Sequence, residues 1–255
     1  MLIPGYALLG LIGTLTSLWL LSLVLRDSSI ADLFWGLGFV GLAVAYFTLF
    51  SSHTSGAKVL LLLVIIWGLR LFIHLSIRNL GKGEDFRYAQ WRVEHGAIWW
   101  WRSFFQVFLL QGLLLWIIAL VFVPALSRTI DWAWTDYLGL LIWAIGLFFE
   151  AVGDWQLMQF RRKPTNKGNV LDTGLWRYTR HPNYFGDAMV WWGFYCFALA
   201  HPYGLYFVFC PALMTFLLLR VSGVAMLESS LKETKPQYAE YIRRTPAFFP
   251  WWPRG

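Results

Sequence analysis

The chain has 255 residues, 58% of them hydrophobic and 14% charged, with a mean hydropathy of +0.54. A soluble domain carries about 25% charged residues, so this composition excludes an ordinary soluble enzyme and indicates a polytopic membrane protein. The net charge of +7 sits in the loops between apolar runs, which argues for membrane topology and against a nucleic-acid partner.

Apolar runs near the ~20 residues of a membrane crossing fall at 5–25, 31–50, 59–77, 103–124, 137–158, 184–200 and 202–220. The predicted fold is therefore all-α, a polytopic integral membrane protein of seven transmembrane helices. The first run follows MLIPGYALLG, which has no basic n-region and no small-residue cleavage pattern, and it reads as a retained helix. The last two runs are parted by a tight His201-Pro202-Tyr203-Gly204 turn. With the N-terminus outside, eighteen of the 21 Lys and Arg residues fall on the inner side, against Lys58 and Arg128 outside and Arg70 within a helix. The positive-inside rule then makes the chain N-out, C-in. We read one domain, 1–255, with cytoplasmic loops 78–102 and 159–183 and a cytoplasmic tail 221–255.

The stretch IWWWRSFFQ (98–106) reads as an interfacial aromatic belt before it reads as a substrate contact. Cys196 and Cys210 lie in predicted spans and form neither a metal spacing nor a disulfide framework. No metal site is expected. The chain also lacks GxxxxGK[ST], HExxH, GxSxG and a strand-borne GxGxxG. A bound dinucleotide would have to be held by helix ends and side chains.

Charges inside membrane helices mark function by default. Asp32, Arg70, His74, Glu150, Asp154 and Asp187 all fall in the inner halves of predicted spans. Arg70, His74 and Arg78 recur at i, i+4 and i+8, on one helical face. Glu150 and Asp154 recur at i, i+4 with Arg161 seven residues on, and Asn183 and Asp187 repeat the i, i+4 spacing. Interhelical pairing is the plainer reading of such residues, but pairing needs one pair and not a whole rim.

YTRHPNYFGD (178–187) places Arg180 and His181 where a membrane helix should begin. Pro182 suits the first turn, where its missing N–H costs nothing. The helix mouth, with Arg177, Arg180 and His181 around it and Arg161, Arg162, Lys163 and Lys167 in the loop before it, reads as an anion site for a phosphate-bearing ligand. The plainer alternative is a positive-inside loop ahead of an ordinary helix start.

GLWRYTRHPNYFGD (174–187), FFEAVGDWQ (148–156), RLFIHLSIRN (70–79) and VSGVAMLE…YAEYIRRTPAFFP (221–250) together resemble the bacterial relatives of steroid 5α-reductase, over roughly residues 25–250. The Arg-His-Pro-x-Tyr element alone also resembles isoprenylcysteine carboxyl methyltransferases and sterol reductases. The resemblance implies a seven-helix reductase that holds NADPH in a cavity open to the cytoplasm and transfers hydride to the Δ4 C=C bond of a 3-oxo-Δ4-steroid or similar enone lipid. It implies nicotinamide and ribose contacts at Asn183, Tyr184 and Asp187. Further cofactor stripes are implied at Glu150, Asp154 and Arg161 and at Arg70, His74 and Arg78, with Glu228 and Tyr241 closing over the adenine end.

That chemistry also needs a group to polarise the ketone oxygen and a proton donor. Asp32, beside Trp35, is the candidate acid, kept protonated by desolvation; an N-cap role is its plain alternative. The animal enzymes are expected to pair such an acid with a tyrosine on helix three, where this chain has Trp67. His74 or water is then the expected proton donor. The implied substrate is a lipophilic small molecule entering from the bilayer, the protein a monomer among membrane lipids, and the location the inner membrane if the chain is prokaryotic. A membrane methyltransferase using S-adenosylmethionine is the competing enzyme reading. A transporter is disfavoured because the outer halves of the helices look dry.

Overall fold

A computed structural model of the chain describes residues 3–51, 53–79, 81–221 and 237–253, with Val224, Glu228 and Lys235. Lys232 and Arg254, two of the basic residues assigned to the inner side, lie outside the described residues, as does most of the tail motif between Ser222 and Pro236. The described residues form helices and no strand.

The helices are α1 (Ile3–Leu25), α2 (Ile30–Leu49), α3 (Ser55–Asn79), α4 (Phe86–His95), α5 (Trp99–Ser103), α6 (Leu110–Ala119), α7 (Phe122–Ser127), α8 (Trp134–Arg162), α9 (Pro182–Ala198), α10 (Phe209–Phe216) and α11 (Tyr238–Arg244). Among the described residues, six runs are long and apolar enough to cross a membrane: Ile3–Leu25, Ile30–Leu49, Ser55–Asn79, Phe86–Ala119, Trp134–Arg162 and Gly204–Val221. The remaining predicted span, 184–200, forms as α9. Its 17 residues cover about 25 Å at 1.5 Å per residue, less than the ~30 Å hydrocarbon core.

The largest departure from expectation lies at 78–102. Most of that predicted loop is helical, because α4 and α5 join through a single 3-10 turn, Gly96–Ile98. Charged residues hid the helix, since FRYAQWRVEH has no apolar run to read. Asp85 caps α4, its side chain accepting from the Arg87 amide at 3.1 Å.

The chain divides into two compact units, Met1–Ala133 with Ala198–Phe207, and Trp134–Phe197 with Val208–Gly255. In the first, α2 and α3 cross at Gly36 and Gly68, where a Cβ on Gly36 would sit 2.2 Å from the Gly68 carbonyl oxygen. Without side chains at the crossing the backbones touch, which is how membrane helices gain contact where lipid is as apolar as leucine. Phe39 of α2 and Trp67 of α3 are fully buried beside it, their rings 5.8 Å apart. Arg128, expected as an outside loop charge, is instead 1% exposed, with Nη2 3.3 Å from the Asp131 carbonyl oxygen.

The second unit repeats the device over a longer seam. Gly139, Gly146 and Gly153 recur every seven residues on α8 and face α9 running the other way. A Cβ on Gly139 would meet the Gly193 oxygen at 2.8 Å, one on Gly146 the Gly186 oxygen at 2.7 Å, and one on Gly153 the Asn183 nitrogen at 3.2 Å. This seam sets α8 and α9 in register and brings Glu150 and Asp154 level with Asn183 and Asp187.

Candidate functional site

Each unit carries its own polar cluster. In the first unit the cluster centres on Asp32. Helix α2 starts at Ile30 behind Ser29, so Asp32 lies in the first turn and is not the N-cap. Its Oδ2 accepts from Arg87 Nη2 at 2.8 Å, and its Oδ1 from Tyr88 Oη at 2.5 Å and Gln111 Nε2 at 3.1 Å. Three donors, one of them a guanidinium, converge on the group. In this structure the Asp32 carboxyl is the shared acceptor of all three.

The tyrosine that pairs with Asp32 is Tyr88. It comes from α4, is 3% exposed, and belongs to a buried cluster with Ala31, Trp99, Val107 and Phe108. Its hydroxyl donates to Asp32 and accepts from Gln111 Nε2 at 3.0 Å. The Gln111 amide is itself oriented by Trp35, whose Nε1 donates to Oε1 at 2.9 Å. Gln111 follows a π-helical segment, Phe104–Leu109. One extra residue in a 3.6-residue turn rotates everything after it by about 100°, so periodicity read straight through 103–124 misplaces this side chain.

A latch outside the spans holds α4 in place. Glu84 accepts from the Ser28 amide at 2.7 Å and from Arg92 Nε and Nη2 at 2.9 and 2.8 Å. Asp85 accepts from Arg87 Nε at 2.9 Å. Burial pushes both carboxyls up, but hydrogen bonds from Arg92 and Ser28 to Glu84, and from Arg87 to Asp85, outweigh it and leave each below its usual value.

In the second unit the helix mouth begins with His181, whose carbonyl accepts the first intrahelical bond, from the Phe185 amide at 3.0 Å. Asn183 Nδ2 donates to Asp154 Oδ1 at 3.0 Å, joining two of the predicted stripes. Glu150 and Asp154 are 3% and 8% exposed. Asn183 Oδ1 is buried and accepts no hydrogen bond among the described residues. The Tyr184 ring stacks on His181 at 5.6 Å and 12°. Past the end of this stripe Arg161 is exposed, and a cleft of about 270 Å³ lined by Trp155, Gln156, Gln159, Lys163, Asn166 and Thr173 lies alongside.

Arg180 does not face outward toward an anion. Its Nε and Nη2 donate to Glu228 Oε1 at 2.8 and 2.7 Å, and its Nη1 donates to the Ile242 carbonyl at 3.3 Å and to that of Thr245. His181 Nε2 lies 3.3 Å from the same Glu228 oxygen. Tyr241, 4% exposed, donates its hydroxyl to the Trp176 carbonyl. Burial, with Tyr238 beside it, pushes the Tyr241 phenol well up. Glu228 and Tyr241, expected to close over a cofactor, here clamp the tail onto the Arg-His-Pro motif.

Residues 18–245 match the family described as protein of unknown function (DUF1295). The chain belongs to that family. No curated protein and no solved structure matches it. In this DUF1295 chain the first three motifs, 70–79, 148–156 and 174–187, all lie within the matched span. Two of them, 148–156 and 174–187, are joined by the Asp154–Asn183 bond. The third stays with the first unit. There Arg70 and His74 are half-buried on α3 and Arg78 is exposed, its Nε 3.3 Å from Asn79 Oδ1. The sequence reading missed Tyr88, Arg87 and Gln111. The signal that finds Gln111 is a polar amide in an otherwise apolar run, which a survey of ionisable residues passes over.

Proposed function

We propose that this protein is an NADPH-dependent reductase of an activated C=C bond in a flat, apolar enone lipid, of the 3-oxo-Δ4-steroid kind. The observation that carries the reading is the part-buried Tyr88–Asp32 contact of 2.5 Å within the Arg87–Gln111–Trp35 network. An enone reduction develops negative charge on the ketone oxygen, and preorganised donors aimed there supply the largest part of such catalysis. Tyr88 is the donor to that oxygen. Arg87 and Gln111 hold Asp32 in place when the hydroxyl turns to substrate, and Gln111 steadies the phenol oxygen. A methyl transfer has no use for a carboxyl–phenol pair of this kind, which places the S-adenosylmethionine reading second.

NADPH, when bound, would supply the hydride, and His74 or water the proton that the neighbouring carbon takes up to complete the reduction. The residues fit it: the buried Asn183 Oδ1 offers an acceptor for a carboxamide N–H, and Asp154, through Asn183, fixes which way that amide points. Tyr184 and Asp187 sit on the same helix mouth, and Arg161 with the neighbouring cleft suits a ribose or phosphate group. At about 270 Å³ the cleft is below the roughly 300–1,000 Å³ of a ligand pocket, so it takes only part of a dinucleotide. In this reading α9 is the seventh crossing, the chain is N-out and C-in, and the cofactor residues face the cytoplasm.

The test is a thermal-shift titration of the purified protein with NADPH, NADH and S-adenosylmethionine, alongside Asn183→Ala, followed by assay of NADPH oxidation with a 3-oxo-Δ4-steroid. Stabilisation by NADPH that Asn183→Ala loses, with enone-dependent oxidation, supports the reading. A response to S-adenosylmethionine alone replaces it with methyl transfer.

A further inference from the structure

We propose that the strap formed by residues 246–252 is a docking surface for the anionic face of the bilayer. Phe249, Trp251 and Trp252 are each more than 70% exposed, at 73%, 73% and 72%. They are not carried on a loose end. The Arg180 amide donates to the Pro246 carbonyl at 2.9 Å, Thr179 Oγ1 donates to the carbonyls of Ala247 and Phe248 at 3.2 and 2.8 Å, and the Trp251 amide donates to the Tyr178 carbonyl at 2.9 Å. The Trp252 ring stands edge-on to Tyr178 at 5.5 Å. Three large rings are thus displayed to solvent on a pinned backbone, an arrangement that burial of apolar area disfavours unless something covers it.

Continuity and charge identify what covers it. A chain of ring contacts runs from the strap into α8: Phe249 to Phe185 at 6.1 Å, Phe185 to Phe149 at 5.1 Å, and Phe149 to Phe148 at 5.8 Å. Phe148 is 55% exposed on a helix built to span the membrane, so the row of aromatics leads onto a surface that lipid tails cover. Around the strap Arg177, Arg243 and Arg244 are exposed. Arg244 shares weak contacts with Asp172 at 3.8 Å and Glu240 at 3.5 Å. Tryptophan with flanking arginine is the chemistry of the headgroup layer, where rings settle and guanidinium groups meet lipid phosphate. The inference rests on the membrane-spanning fold and does not depend on the reductase reading. Because the strap backbone also holds Thr179 and Arg180, lipid docking braces the mouth of α9.

A nitroxide on Trp252→Cys of the full chain, in lipid nanodiscs, tests this; Lys167→Cys, exposed in the 159–183 loop, is the aqueous reference, and both native cysteines are buried. With phosphatidylglycerol in the disc, the label at 252 is expected to collide more with oxygen than with a water-soluble nickel complex, and the label at 167 the reverse. Replacing phosphatidylglycerol by phosphatidylcholine, or adding Arg243→Gln with Arg244→Gln, should shift the 252 label toward water. A label on Phe249→Cys repeats the reading should the first variant fold poorly. A position as aqueous at 252 as at 167 overturns the proposal, and depth indifferent to anionic lipid overturns its charge component. Spin–spin broadening that depends on protein-to-lipid ratio would instead make the strap a contact between copies of the chain.

Discussion

Tyr88 Oη lies 2.5 Å from Asp32 Oδ1 although the two residues sit on helices separated by the whole of α3. The contact exists because Glu84 and Asp85 anchor the start of α4 over the α1–α2 turn, with the Asp85 amide donating to Ser29 Oγ at 3.2 Å. Replacing Tyr88 by Phe keeps the ring in its buried cluster and removes only the hydroxyl. On the proposed chemistry the enone-dependent kcat should fall by about 10²–10³, the usual loss for one preorganised donor. The NADPH-induced thermal shift should be unchanged. Steady-state assay beside the thermal titration reads both; a variant with full kcat removes Tyr88 from the chemistry.

The polar stripes of α8 and α9 were legible because i, i+4 spacing and membrane burial act on residues close in sequence. Asp154 meets Asn183 as that spacing suggests, with the glycine seam holding the register. The tyrosine was not legible, since its position depends on a charged helix with no apolar run and on a latch between Ser28 and Glu84, 56 residues apart. Arg180 was misread for a related reason. In sequence it is a cation at a helix mouth, and only the tail carbonyls of Ile242 and Thr245 with the carboxylate of Glu228 turn it into a clamp.

Asp32→Asn tests the three donors gathered on the Asp32 carboxyl. An amide there keeps the shape but turns one acceptor into a donor against Arg87, Tyr88 or Gln111. The Arg87–Asp32 pair is 28% and 20% exposed, so solvent screens it only in part. A loss of about 1 kcal/mol is expected, read as a lower unfolding midpoint. An Asp32→Asn protein as stable as the original would mean that the donors gathered on Asp32 add nothing to stability.

The α8–α9 seam predicts a sharp contrast between glycines. A Cβ on Gly186 would lie 2.3 Å from the Glu150 amide nitrogen and 2.5 Å from the Gly146 oxygen, both backbone atoms that cannot swing aside. Gly186→Ala should cost about 1–3 kcal/mol as overpacking and should weaken NADPH binding by shifting Asn183 and Asp187. Gly41→Ala on α2, with nothing within 4 Å of its new Cβ, should leave the unfolding midpoint unchanged or slightly raised. Thermal unfolding of the two variants in one detergent makes the comparison, and equal effects would remove the seam from the account of this unit.

The Glu228 clamp gives the strap a pH dependence with a defined sign. Burial pushes its carboxyl up, but hydrogen bonds from His181 and Arg180 and the nearby Arg180 charge outweigh that and hold it below the ordinary 4.5. A carboxyl depressed in the folded state binds its proton more readily once unfolded, so its contribution is whole above about 4.5 and is lost as pH falls through the folded value. Glu228→Gln lacks that contribution at every pH. The gap in unfolding midpoint between original and variant should therefore be constant from neutral pH down to about 4.5 and close below it. Melting curves at stepped pH measure the gap directly. A gap that persists unchanged to pH 3 would mean that Arg180 is held by the carbonyls of Ile242 and Thr245 without the charge of Glu228.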